Sequence, residues 1–132
     1  MAETLVLEIV TPERELVREE VSDVQVPGKD GFLGILPGHA ALLDQLGAGA
    51  LCYTVGGRPH YLAIAGGFLE VLNDHVRVLA DSAERAEDID LDRAKAELQR
   101  ATEQLATAED PDTALAAVNR AQARVNAGER GR

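Results

Sequence analysis

The sequence predicts a β-rich domain, a sandwich or flattened barrel, followed by an antiparallel helical hairpin. Three observations carry this. Up to about Ala80, apolar residues alternate with polar ones over many short stretches, the period of half-buried strands. Turn-forming clusters separate those stretches at "TPER", "PGKDG", "VGGRP", "AGG" and "LNDH". From Ile89 onward the apolar residues recur every three or four positions, which is the spacing of one helix face.

In chain order, Leu5, Leu7 and Ile9 alternate in "TLVLEIV", Val24 and Val26 in "SDVQVP", and Val76 and Val78 in "HVRVLA". Many short strands at such spacing read as a sandwich or flattened barrel. Leu91, Ala94, Leu98, Ala101, Leu105 and Ala108 then form one stripe on a helix of about five turns. Asp110-Pro111 supplies an N-cap and a proline at the first helical position. A second helix presents Ala114, Val118, Ala121 and Val125 on one face until Gly128, which is expected to end it. Half of the seam positions are alanine, and a buried methylene contributes about 0.8 kcal/mol. Docking of the hairpin on the β domain is therefore expected to be marginal and reversible, the alternative being a permanent two-layer domain. The division falls at residues 1–84 and 85–132.

Composition bounds the function. The 132 residues are 45% hydrophobic with no Trp, so the core must be built from Val, Leu, Ile and Ala. Cys52 is the single cysteine; it excludes an intrachain disulfide and fits a buried thiol in a reducing compartment. No basic region followed by an apolar signal opens the chain, and no stretch approaches the ~18 apolar residues of a membrane span. The expected location is cytosolic, or peripheral to a membrane on that side. A net charge of −10 argues against nucleic-acid or anionic-lipid binding as the main task. The charge is uneven, because the last fourteen residues hold Arg120, Arg124, Arg130 and Arg132 against Glu129, a local +3, leaving −13 on residues 1–118. Arg120 and Arg124 stand four apart on one helix face, where like charges repel unless an anion or an acidic side chain lies between them, so an anionic partner is expected.

Residues 30 to 43, "DGFLGILPGHAALL", are too apolar for an ordinary surface loop and too broken by Gly31, Gly34, Pro37 and Gly38 for a helix or central strand. An apolar loop either tucks into its own core or meets a partner. His39 reads as a hydrogen-bonded turn histidine rather than a titrating functional group. A metalloenzyme would need His39, His60 and His75 to converge, and nothing in their spacing supports it. No GxSxG and no GxxxxGK[ST] occurs, so hydrolase and P-loop readings fail. A free-standing regulatory module with an unrelated partner remains the alternative.

In combination, "GFLGILPGHAALL", "AGGFLEV" (65 to 71) and "VRVLADSAERAEDIDLDRAKAEL" (76 to 98) resemble the epsilon subunit of bacterial F-type ATP synthase. The resemblance spans nearly the whole chain in order; the inter-helix segment "ATAEDPDTALAAV" is short and unlike the usual pattern. It implies a ten-stranded sandwich and two helices in the rotating central stalk of a proton-translocating synthase. The chain would be a peripheral subunit on the cytoplasmic side of the cell membrane, contributing no catalytic side chain. The sandwich would bind the gamma subunit and the membrane rotor ring. The hairpin would lie folded or extend toward the catalytic head, restraining ATP hydrolysis when extended. The stretch containing Gly31, Phe32, Leu33, Gly34, Pro37 and His39 would be partner interface, with Phe32 standing where many relatives have an acidic residue. Some relatives bind ATP as a regulatory ligand through a motif resembling "IDLDRA". By position this points to Glu84, Asp90, Arg93 and Ala94, with Arg100, Arg120 and Arg124 as candidate phosphate contacts; no cofactor is required. Read from the residues alone, Asp90 favours the first turn of a helix and Arg93 pairs with Glu97.

Overall fold

In the computed structural model, which describes residues 3–131, alternation sorts each strand into a core face and an outer face. β1 (Leu5–Val10) points Leu5, Leu7 and Ile9 inward, and β2 (Glu15–Val21) adds Val17 and Val21. β3 (Asp23–Gly28) contributes Val24 and Val26, and β4 (Gly31–Ile35) ends on buried Ile35. β5 (Leu42–Gln45), β6 (Ala48–Val55), β7 (Arg58–Leu72) and β8 (His75–Arg85) complete one hydrogen-bonded sheet. Its order is β2-β1-β8-β7-β6-β3-β4, with β5 pairing β7 beyond β6. All neighbours are antiparallel except β1 and β8.

This sheet folds over into a sandwich along one line. The inward residues of β7 are Leu62 and Ile64 before Gly66 but Leu69 and Val71 after Gly67, a switch from even to odd positions. The same switch occurs between Leu46 and Leu51 across Gly47, and between Ala80 and Ala83 across Asp81. A one-residue change of phase turns the side chains to the other face, so the sheet's two ends meet over one core. Gly66 and Gly67 have φ of +70° and +114°, and a Cβ at Gly67 would overlap the Leu79 carbonyl oxygen. The "AGG" turn signal is therefore a strand corner. The expected ten strands become eight, because β7 with 15 residues and β8 with 11 run unbroken through that corner.

Helix α1 (Leu91–Leu105) starts at Asp90, whose carboxylate accepts from the Arg93 amide. It is a turn shorter than the stripe predicts, since residues 106 to 108 continue as i→i+3 turns. Helix α2 (Pro111–Arg130) is capped by Asp110, which accepts from the Thr113 amide and hydroxyl. Those bonds hold the Asp110 carboxyl below its ordinary pKa. Gly128 does not end α2, contrary to the sequence expectation. It lies buried inside the helix, where a Cβ would come within 3.1 Å of Leu91 and 3.3 Å of Ile89, so its missing side chain serves close packing. α2 lies on the outer face of β6 and β7, and α1 packs on α2. The seam is formed by Ala50, Ala63, Ile89, Ala94, Ala123, Val125 and Ala127.

Candidate functional site

Between α1, α2 and the outer face of β7 and β8 lies a groove of about 640 Å³. Alanines at positions 63, 65, 101, 117, 121 and 123 make it shallow-walled and apolar. Its charged rim is Glu84, Glu97, Arg100, Arg120 and Arg124, three cations against two carboxylates. The fold thus gathers Glu84, Arg100, Arg120 and Arg124 from the seven positions that the "IDLDRA" resemblance singled out. The other three do not line the groove. Asp90 caps α1, Arg93 reaches Glu97 at 3.2 Å on the exposed side of α1, and Ala94 is fully buried in the seam.

Arg124 is the centre of this arrangement. Its Nε donates to Glu84 Oε1 at 2.8 Å and a terminal nitrogen to Glu84 Oε2 at 3.4 Å, while the other terminal nitrogen donates to Glu97 Oε2 at 2.6 Å. The Glu84 hydrogen bonds, with the charge of both carboxylates, push the Arg124 pKa further up. The anion expected beside Arg124 is therefore intramolecular. Arg120 makes no ion pair among the described residues. Glu97 was missed as a partner of Arg124, although it stands one turn from Ala94 and Ala101 on the seam side of α1, a position that could have marked it.

The second region is the apolar stretch around β4. Residues 30 to 39 do not form a loop: five of them are an edge strand, which tolerates the glycines that a central strand would not. Gly31, with φ of +135°, closes the β3–β4 turn. Phe32 faces outward and is 60% exposed, whereas Leu33 faces inward and packs on the core. Gly34 is exposed opposite Gln25, and Pro37 and His39 lie beyond the far end of the strand. There the Gly38 amide donates to Asp74 Oδ1 at 2.7 Å, tying this turn to the β7–β8 turn, and His39 Nδ1 lies 2.7 Å from the Ala40 carbonyl. The six residues thus divide between two ends and two faces of one strand.

Further exposed apolar side chains lie on the face of β5, β7 and β8 away from the core. Phe68 pairs across the ladder with Leu79, and Leu43 stands two residues along from Phe68's other neighbour, Gln45. Leu72 is exposed on the same face. Alternation alone does not mark such residues, because it sorts faces without saying which face meets solvent. On that face Glu8 is nearly buried among His75 at 2.9 Å, Arg77 at 3.7 Å and Arg18 at 3.8 Å. His60 stacks on Tyr53, with ring centroids 5.0 Å apart, at the end of the β7–β8 ladder opposite His75. The three histidines do not converge, and among the described residues no His, Cys, Asp or Glu group could hold a metal ion. No described helix is long and apolar enough to cross a membrane.

The fold and its groove define a class, a β-sandwich carrying a docked helical hairpin. The sequence model of the family described as "ATP synthase, Delta/Epsilon chain, beta-sandwich domain" matches residues 4–86. The ATP synthase epsilon chain of Solibacter usitatus is 59% identical over 128 residues, covering 95% of this chain and 96% of its own. That of Nitratidesulfovibrio vulgaris is 45% identical over the same length, with the same coverage. A chain in a structure of the Euglena gracilis mitochondrial ATP synthase, OSCP/F1/c-ring, superimposes with a TM-score of 0.79 at 23% identity, over 90% of this chain and 78% of that one. The protein belongs to the ATP synthase epsilon chain family.

Proposed function

We propose that this chain is a noncatalytic central-stalk subunit of a proton-translocating F-type ATP synthase, holding the gamma subunit on the membrane rotor ring. The sandwich, residues 1–84, is the docking part; the hairpin, residues 85–132, is the regulatory part and restrains ATP hydrolysis when it extends toward the catalytic head. The protein would sit at the cytoplasmic side of the cell membrane through the complex alone. Full-length identity to epsilon chains supports this reading. The observation that carries it is the exposed apolar set Phe32, Leu43, Phe68 and Leu79, on faces that the hairpin leaves uncovered. Such a set on a −10 protein is costly unless a partner covers it. Tagged full-length chain should recover gamma and ring subunits from detergent-solubilised membranes. Deleting residues 89–132 should keep that recovery and raise ATP hydrolysis by the purified complex. Unchanged hydrolysis would remove the inhibitory role.

We infer ATP as the regulatory ligand; the groove supports this with alanine walls for a base and Arg100, Arg120 and Arg124 for phosphates. Linkage predicts about 2.7 kcal/mol of stabilisation at a hundredfold excess over Kd. A thermal melt of the isolated chain with millimolar ATP should show it, and Arg124→Ala should abolish it. Arg93→Ala, outside the groove, should alter it little. An ATP effect lost on Arg93→Ala and kept on Arg124→Ala would move the ligand out of the groove.

A further inference from the structure

We propose that Arg124, gripped by Glu84 and Glu97, is a latch that holds the hairpin folded on the sandwich with no ligand bound. The three residues come from three elements: α2, β8 and α1. Among the described residues, the other ion pairs of the hairpin stay within the helices: Arg93–Glu97 lies within α1, and Lys95–Glu129 joins α1 to α2 at 3.9 Å in solvent. Among the described residues, Arg124 is the one cation of the two helices that pairs with a strand carboxylate, and it does so with its side chain only 26% exposed. Exclusion of water strengthens such charge-assisted bonds relative to a surface pair.

The apolar contact beneath it is weak by construction. Where α2 meets the sheet, the strands offer Ala50 and Ala63, and the helices return Ala123, Val125 and Ala127. Methyl-to-methyl contact is short-ranged and buries little area, so two short, directed bonds across three elements weigh more here than they would in the sandwich. Because guanidinium keeps its charge at any ordinary pH, the latch closes without a triggering proton or nucleotide. It also occupies the cation nearest the strand, so an anion entering the groove meets Arg100 and Arg120 unpaired and must displace carboxylates to reach Arg124.

This inference deepens the regulatory reading and rests on it only for the consequence in the assembled complex; the latch itself is tested on the isolated full chain. Amide exchange is followed in nucleotide-free wild type, Arg124→Met and Glu97→Gln. The expected result is ~10- to 100-fold faster exchange across residues 119–128 in Arg124→Met, with β1 and β3 amides unchanged. Cys52 gives a second, native readout. It lies on the outer face of β6 two residues from Ala50, and burial pushes its thiol pKa up, so undocking of α2 should speed its reaction with a thiol reagent. Should Arg124→Met also loosen β1, Glu97→Gln decides, because its carboxylate bonds only to arginines and touches no strand residue by hydrogen bond. A change below ~3-fold in the α2 amides of the deciding variant would overturn the latch and leave the alanine seam as the sole fastening. Faster α2 exchange with unaltered hydrolysis in the complex would uphold the latch and remove the inhibitory role instead.

Discussion

In the sandwich, Leu5, Ile9, Ile35, Leu51, Ile64 and Leu69 are fully buried in one cluster, each among side chains of similar size. In the hairpin's cluster most buried side chains are alanine, with Ile89 and Val125 the larger exceptions, and Ala94 is the single buried residue of α1. The two regions share one chain and one solvent but differ in the size of the side chains they bury. Burial stabilises in proportion to apolar area, so the hairpin should separate from the sheet at lower cost than the sandwich unfolds. The polar groups follow the same division. Glu84, Glu97 and Arg124 sit at the boundary, where a directed bond decides whether the weaker part stays attached.

Core substitutions give the largest test of this contrast. Ile64→Ala should cost about 2–5 kcal/mol of unfolding free energy. Val125→Ala, which removes a smaller side chain from a seam that can separate, should cost about 1–2 kcal/mol and act on the hairpin alone. Urea unfolding read by sandwich and hairpin probes separately will show whether the two transitions part. A Val125→Ala variant that lowers the sandwich midpoint as far as Ile64→Ala would mean that the two regions form one cooperative unit.

An intermediate effect distinguishes the neighbours Leu33 and Phe32. Both stand on β4, yet only Leu33 packs on the core, so Leu33→Asp buries a charge without a partner and should destabilise by about 2–4 kcal/mol. Phe32→Asp should change stability by at most about 0.5 kcal/mol while weakening capture of gamma and ring subunits. Equal destabilisation by both would assign Phe32 to the core and withdraw it from the docking surface.

The smallest effect belongs to the Asp110 cap, at the end of the hairpin far from the sheet. A carboxyl whose folded pKa is depressed stabilises fully above its unfolded value, here 3.8, and loses that contribution as pH falls through the lower folded value. At neutral pH the cap is complete. Amides of residues 112 to 114 should therefore lose protection only below about pH 4, and Asp110→Asn should shift that acid limb. Loss of protection near pH 6 would point to another group.

Much of the architecture was legible because it is local. A period of two set the inward residues of β1, β3 and β8, a period near 3.6 set the α1 stripe, and Asp110 marked the start of α2 where its cap forms, whereas Asp90, read as a first-turn residue, caps α1 instead. The misreadings have non-local causes. Residues 30 to 39 looked like a loop because nothing in them says that β4 would be an edge strand. Gly128 looked like a helix end because the need for it arises from Ile89 and Leu91, far along the chain. The count of ten strands failed because a glycine pair bends a strand without ending it.

The candidate sites divide along the same line. Sequence by itself determined that Arg120 and Arg124 share a helix face, that half of the hairpin seam is alanine, and that an apolar stretch near Phe32 needed an explanation. Tertiary structure alone decided that Arg124 meets Glu84, 40 residues away, and Glu97, 27 away, and that Phe68, Leu79 and Leu43 gather on one uncovered face. The reason is physical: periodicity fixes the direction in which a side chain leaves its own element, whereas what it meets depends on where the other elements come to rest, and the bend at Gly66–Gly67 sets that for the whole sheet.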